Sequence, residues 1–312
     1  MAERSAMGPD LVIAGAARCG TSTLAAHLAR HPNIDMGMVK EPNYFSRYLE
    51  LGPEWYDGLF AKRTAGLLRL DGSTSYTYPQ FPNALARLAE ASPHAFVVYS
   101  VRDPLARAVS HYLYYRHYFR REPANDFGEA LRTGSYYTDV GDYAYWLPRL
   151  RELFASRLLV VPFGAVTQSC EDVVSAIYHA IDLPPPTGGE ANVEAHQNNV
   201  VEFRAESVRL AVRSLRRNGT YLRIRSAVGP HRVRRLRSMV TRRTVLPTVE
   251  EALASCDEQQ LKALRALQTQ CRWAVQTHLI EQDARRGLDW SRYWAPSDTL
   301  TGRSTDEDQE SK

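Results

Sequence analysis

Residues 15–23 read GAARCGTST: Gly15 and Gly20 bracket four residues, and three hydroxyl side chains follow, Thr21, Ser22 and Thr23. A Gly-x-x-x-x-Gly turn opening a helix offers backbone N–H groups and a helix N-terminus to an anion, with no side chain required. A triphosphate loop would place lysine directly after the second glycine; Thr21 stands there instead. The cation inside the loop is Arg18, whose planar guanidinium can grip a phosphate with two parallel hydrogen bonds. The pattern suits a ligand with a 5′-phosphate group and little need of a metal ion. Triphosphate hydrolysis would also want Mg²⁺ and an acid at a strand end to hold it, and Asp71 is of the right type for that.

A second anion-binding element is VYSVRDPLARAVSHY at 98–112. Arg102 ends an apolar run, and Ser110 lies two turns into the next helix, so a guanidinium and a hydroxyl can reach one pocket. An Arg-Asp-Pro turn taken alone reads as a structural ion pair. Two such elements at neighbouring strand ends suit a nucleotide with phosphates at both its 5′ and 3′ positions. Glu41 lies in KEPNYF at 40–45, where Pro42 biases it to extended backbone and presents it from a loop; a surface pair with Lys40 is the plainer alternative. His111 is a further candidate base, projecting about 100° away from Ser110 around the helix. His27 and His31 have i, i+4 spacing but no glutamate in H-E-x-x-H order, and read as helix-surface side chains. Tyr112, Tyr114, Tyr115, Tyr118 and His117 form either a cleft wall or a half-buried helix face.

These residues need a frame. LVIAG at 11–15 is a continuous apolar run, as in a parallel strand buried on both faces. A helix over 21–30, with Leu24 and Leu28 one turn apart, stops at His31-Pro32-Asn33. Further strands are predicted at 67–71, 95–101 and 157–163. Pro104 fits a first helical turn with Asp103 as cap, the helix running on through LARAVSHYLYYRHY, and another helix covers 171–181. Strands alternating with helices predict an α/β fold, a doubly wound parallel sheet flanked by helices. Ligands of such sheets sit at the carboxyl ends of the strands, where Arg18 and Arg102 both fall. Past PPPTGG at 184–189 no strand is expected. Val208, Val212 and Leu215 give a helical stripe, Thr248 to Glu251 a capping box, and Leu261, Leu264, Cys271 and Val275 a helix toward 285. The division is a flexible N-terminus (1–10), one domain over 11–295 made of an α/β core (11–183) and a basic, mainly helical part (190–295), and a disordered tail (296–312).

The chain has 312 residues, 44% of them hydrophobic, enough for one large domain. Its net charge of +4 makes it no polycation. Cys19, Cys170, Cys256 and Cys271 are scattered without C-x-x-C spacing, which excludes a zinc ribbon and fits a reducing compartment. The apolar run after the polar start is too short for a signal segment or a membrane span, so a cytoplasmic protein is expected. Between Ser207 and Val249 lie twelve arginines and no acid. That stretch suits an anionic acceptor, peripheral contact with a membrane or a solvated helix face. It lacks the aromatic interleaving of a nucleic-acid binder.

GAARCGTSTLAAHLARHPNI and VYSVRDPLARAVSHYLYY resemble the 5′-phosphosulfate loop and the 3′-phosphate motif of the PAPS-dependent sulfotransferases, which use 3′-phosphoadenosine 5′-phosphosulfate. KEPNYF, WYDGLF at 55–60 and GLDW at 287–290 resemble the heparan-sulfate-type branch and its bacterial relatives. The resemblance covers about 10–165, and the last third only through GLDW. It implies a P-loop-like sheet and sulfuryl transfer to a hydroxyl or amine of a small-molecule, glycan or lipid acceptor. The product would be 3′,5′-ADP, with no metal required and no nucleic-acid partner. Carried over by position, Arg18, Cys19, Gly20, Thr21, Ser22 and Thr23 hold the 5′ end, and Arg102 and Ser110 the 3′-phosphate. Glu41 is the catalytic base, assisted by Arg18. Lys40, Tyr44, Phe45 and His111, the last matching the base type of the cytosolic branch, face the acceptor. The sequence departs from the family in three places: Arg18 replaces lysine, Gly72 in LDGSTSY replaces a second lysine, and Phe163-Gly164-Ala165-Val166 replaces an acidic motif of the bacterial relatives. A P-loop kinase and a non-catalytic anion-binding protein are the competing readings.

Overall fold

Leu11–Gly15 (β1) is apolar because it is covered on every side; all five residues are buried. In the computed structural model, which describes residues 8–186, 201–203, 241–243 and 246–294, β1 lies between Leu68–Asp71 (β3) and Phe96–Val101 (β4). Leu158–Pro162 (β5) follows β4, and the two-residue Ile34–Asp35 (β2) follows β3. The order is β2-β3-β1-β4-β5 and every pair is parallel. The four predicted strands are all present; β2 is additional, too short for any periodicity to mark.

The sheet has a core on each face, assigned by the strand period of two. Val12, Ala14, Val97, Tyr99 and Val160 face the helices Ala84–Ala91, Tyr143–Phe154 and Glu258–Arg286. Leu11, Ile13, Val98, Leu159 and Val161 face Thr21–Leu28 and Cys170–Ala180. The helix Pro104–Leu113 begins as its sequence predicts, with Asp103 Oδ1 accepting from the backbone N–H groups of Leu105 and Ala106. The other carboxylate oxygen accepts from Gln268 and Arg272, at 2.7 and 3.0 Å, and so ties this helix start to the C-terminal helix. Beyond Leu113 the α-helix gives way to a π turn over Tyr114–Phe119, a form that recurs at functional sites.

The capping box at Thr248 is present, with Thr248 and Glu251 bonding reciprocally. The Glu258–Arg286 helix buries Cys271, Val275 and Leu279. Its Gln282 accepts from Val160 N at 2.7 Å and donates to Val160 O at 2.9 Å. Two expectations change. The C-terminal part holds a short antiparallel pair, Val201–Phe203 with Thr241–Arg243. The amino-terminal segment joins the fold before Leu11: Gly8 is buried, and Asp10 accepts from Arg69 N at 2.9 Å and pairs with Arg63. Residues 1–7, the Val208/Val212/Leu215 stripe, most of the arginine-rich stretch and the 296–312 tail lie outside the described residues. Among the described residues no helix is long and apolar enough to cross a membrane.

Candidate functional site

A cleft of about 780 Å³ opens where β1 and β4 end. Its floor is the glycine loop. Gly20 has φ +81°, and a Cβ there would come within 3.0 Å of Val166 Cγ1 and 3.2 Å of Phe163 Cδ2. Glycine is thus required both for the left-handed turn and for the close packing. The Phe163–Val166 segment, whose sequence departs from the acidic motif, is the surface this packing uses. Among the described residues no side chain caps the Thr21–Leu28 helix, so its positive end offers donors to an anion.

Arg18 also sits at positive φ, +73°, a backbone state that costs on the order of 1 kcal/mol for a residue with a Cβ. Its guanidinium lies over the Tyr114 ring, 4.3 Å from the centroid, and its Nε donates to Ser110 Oγ at 3.1 Å. Burial lowers its pKa and the nearby Arg102 does so further, while Tyr114 opposes the shift; an arginine nonetheless keeps its charge. Among the described residues no carboxylate pairs with it. Arg102 stacks over Phe163 at 4.7 Å and reaches Arg18 O at 3.5 Å. The Tyr143 hydroxyl accepts from Arg102 N at 3.0 Å and donates to Arg102 O at 2.9 Å, fixing the backbone from which that side chain leaves. Two partly buried guanidiniums thus face one cleft, an arrangement suited to anions.

Thr21, Ser22, Thr23, Glu41, Ser110 and His111 also line the cleft. Ser110, placed beside Arg102 by the sequence reading, bonds Arg18 instead. Cys19 is fully buried with its thiol toward Tyr143, and burial pushes the thiol pKa up; it serves the loop through its backbone. Tyr44 and Phe45 turn away from the cleft. Tyr44 stacks on Tyr56 at 4.8 Å, and Phe45 packs edge-on against Tyr76 at 5.6 Å. They belong to the core because the short helix Tyr44–Arg47 directs its apolar side inward; Asn43, Arg47 and Tyr48 line the cleft in their place. Lys40 points to the loop, its Nζ 3.2 Å from Thr21 Oγ1 and 2.8 Å from Glu41 Oε1.

His111 is 1% exposed. Arg107 Nη1 lies 3.4 Å from its Nδ1, and an arginine can only donate, so Nδ1 accepts and the ring hydrogen is on Nε2. Burial, then Arg107 and Arg18, push its pKa well below the usual value. His111 is therefore a neutral donor. Asp71, the acid a metal-bound triphosphate would need, is fully buried. It accepts from the Tyr76 and Tyr56 hydroxyls at 2.6 and 3.0 Å and from Ser73 N at 2.9 Å, and burial raises its pKa. It is a core carboxylate, outside the cleft. His27 pairs with Glu171, and His31 meets Pro184 O and Asn33 N. Arg18 and Tyr114, and Arg102 and Phe163, are pairings the sequence reading missed; consecutive aromatics at 112–119 were the only signal.

The sheet order, the glycine loop and the two arginines define a P-loop-like α/β protein with a cleft for anions. The family model described as the sulfotransferase family matches residues 56–187. Mouse heparan sulfate glucosamine 3-O-sulfotransferase 6 is 29% identical over 175 residues, 51% of this chain and 50% of that protein. Bifunctional heparan sulfate N-deacetylase/N-sulfotransferase 1 of Caenorhabditis briggsae is 36% identical over 109 residues, 33% of this chain and 12% of that protein. The crystal structure of a sulfotransferase from Alicyclobacillus acidocaldarius shares the fold, with a TM-score of 0.51 over 60% of this chain and 85% of that one, at 24% identity. The chain spans half or less of the length of these two curated relatives. In sequence over part of its length, and in fold, the chain is similar to sulfotransferases.

Proposed function

We propose that the protein moves a sulfuryl group from PAPS to a hydroxyl or amine of a small-molecule, glycan or lipid acceptor. The observation that carries this reading is the convergence of Arg18 and Arg102, from the ends of β1 and β4, on one cleft with no carboxylate pairing either among the described residues. Two separate cations match a nucleotide with an anion at each of its 5′ and 3′ positions. PAPS supplies an activated sulfuryl group and leaves as 3′,5′-ADP.

Arg18 and the loop from Cys19 to Thr23 hold the 5′ end. Their fixed positive field lies where charge grows on the leaving oxygen, the kind of stabilisation that contributes most to in-line transfer. Arg102, braced by Phe163 and with Ser110 nearby, takes the 3′-phosphate. Glu41, with a side chain 39% exposed at the cleft, receives the acceptor's proton as the acceptor oxygen bonds to sulfur. His111 orients the acceptor by donating from Nε2. No step in this scheme calls on a metal ion. The scattered free cysteines fit a cytoplasmic setting. The arginine-rich 207–249 stretch suits an anionic acceptor or a membrane surface better than nucleic acid.

Calorimetric titration with 3′,5′-ADP beside ATP–Mg²⁺ tests the reading. Tight binding of 3′,5′-ADP alone, unaffected by EDTA, is the expected result. Preference for ATP–Mg²⁺ would favour a P-loop kinase, although Asp71 is not placed for one. Binding of neither would leave a non-catalytic anion-binding protein.

A further inference from the structure

The stem of Lys40 runs back over Gly72 rather than out toward the acceptor side. A Cβ at Gly72 would meet Lys40 Cγ and Cε at 3.1 Å each, and Gly72 N donates to Lys40 O at 2.9 Å, fixing the two backbones together. The ammonium ends between Thr21 Oγ1 and Glu41 Oε1, with the side chain only 19% exposed. It therefore stands between the loop that holds the 5′ end and the carboxylate that faces the acceptor. On the PAPS reading Arg18 and Arg102 are engaged by the two phosphates; Arg47 and Arg121 also line the cleft, but among the described residues Lys40 is the cation hydrogen-bonded to both the loop and Glu41. Gly72 follows as a requirement of the arrangement: a side chain there would lift the lysine stem off its track.

We propose that Lys40 binds the sulfonate end of the donor, making it a donor-site residue, and that Gly72 is glycine to give its stem room. This rests on the PAPS reading above.

The test compares PAPS with 3′,5′-ADP, which lacks the sulfonate, by calorimetry on the full chain. Lys40→Gln keeps a shorter stem ending in a neutral polar group, and Lys40→Met keeps a stem of similar length without the charge; thermal melts confirm that either variant is folded. Both are expected to bind PAPS roughly ten-fold more weakly, the scale of a lost charge-assisted hydrogen bond, while 3′,5′-ADP stays within about two-fold. Equal weakening of both ligands, or no change with PAPS, would overturn the assignment. A wild-type protein that binds neither ligand would instead overturn the PAPS reading itself, a result visible before any variant is made.

Discussion

Arg18 Nε stands 3.1 Å from Ser110 Oγ, so the end of β1 and the helix after β4 hold each other across the floor of the cleft. The hydroxyl accepts from the guanidinium and keeps its own hydrogen for a ligand. The guanidinium is thereby set in place before any ligand arrives, with Tyr114 beneath it.

Breaking this pair separates orientation from charge. Ser110→Ala is expected to weaken 3′,5′-ADP by roughly five-fold, about 1 kcal/mol for one hydrogen bond, and Arg18→Ala by roughly fifty-fold or more. Arg102→Ala should weaken 3′,5′-ADP far more than 5′-AMP. Equal losses for the two ligands would remove Arg102 from the 3′-phosphate.

At Gly20 the backbone has φ +81° and the space for a Cβ is already filled by Val166 and Phe163. Gly20→Ala should cost on the order of 1–2 kcal/mol in urea denaturation and abolish measurable 3′,5′-ADP binding. A variant of wild-type stability and affinity would show the turn to be dispensable.

Glu41 and His111 are assigned opposite parts. Glu41→Gln is expected to lower turnover by about a hundred-fold or more with 3′,5′-ADP affinity nearly unchanged. With its pKa held well below the usual value, His111 stays neutral above about pH 6.5, so the rate profile should show no histidine step there. A step that disappears in His111→Asn would make His111 the base.

His278, 3% exposed, with no well-formed hydrogen bond to either ring nitrogen among the described residues and only a weak opposing influence of Gln282 on its pKa, gives the fold an acid sensitivity. Burial, and then Arg151 and Arg285, lower its pKa to about 4, whereas the unfolded chain takes that proton near pH 6.5. The unfolded state thus binds more protons across this window. The contribution of the neutral buried ring is complete above about pH 6.5 and drains away as pH falls toward 4, about 3 kcal/mol in all. Urea melts at roughly pH 7.5 and 4.5 should show wild type losing about 2–3 kcal/mol more than His278→Leu. Parallel losses would place the sensitivity elsewhere.

What the sequence displays is what local chemistry decides. The loop after an apolar strand, the Asp103-Pro104 helix start and the Thr248 capping box each depend on residues within a few positions, and each is found as read. Directions set by distant partners are hidden. KEPNYF does not disclose that Tyr44 and Phe45 turn inward to Tyr56 and Tyr76, or that Lys40 turns to Thr21. Asp71 looks like a strand-end acid until two tyrosine hydroxyls claim it. The tautomer of His111 depends on Arg107, and the backbone at Arg102 on Tyr143. The strand Ile34–Asp35 is too brief for a period of two to register.

Among the described residues β5 has a strand neighbour on one side only. A bare edge with free N–H and C=O groups is a template on which another chain can add a strand. Here the Gln282 amide occupies both backbone groups of Val160, and Arg286 takes the carbonyls of Ser156 and Leu158 at 2.6 and 3.4 Å. One helix thus stands in for a missing strand, and the opposite rim is the two-residue β2, too short to recruit a partner. A sheet whose inner strands are almost wholly apolar is shielded in this way from joining its copies edge to edge.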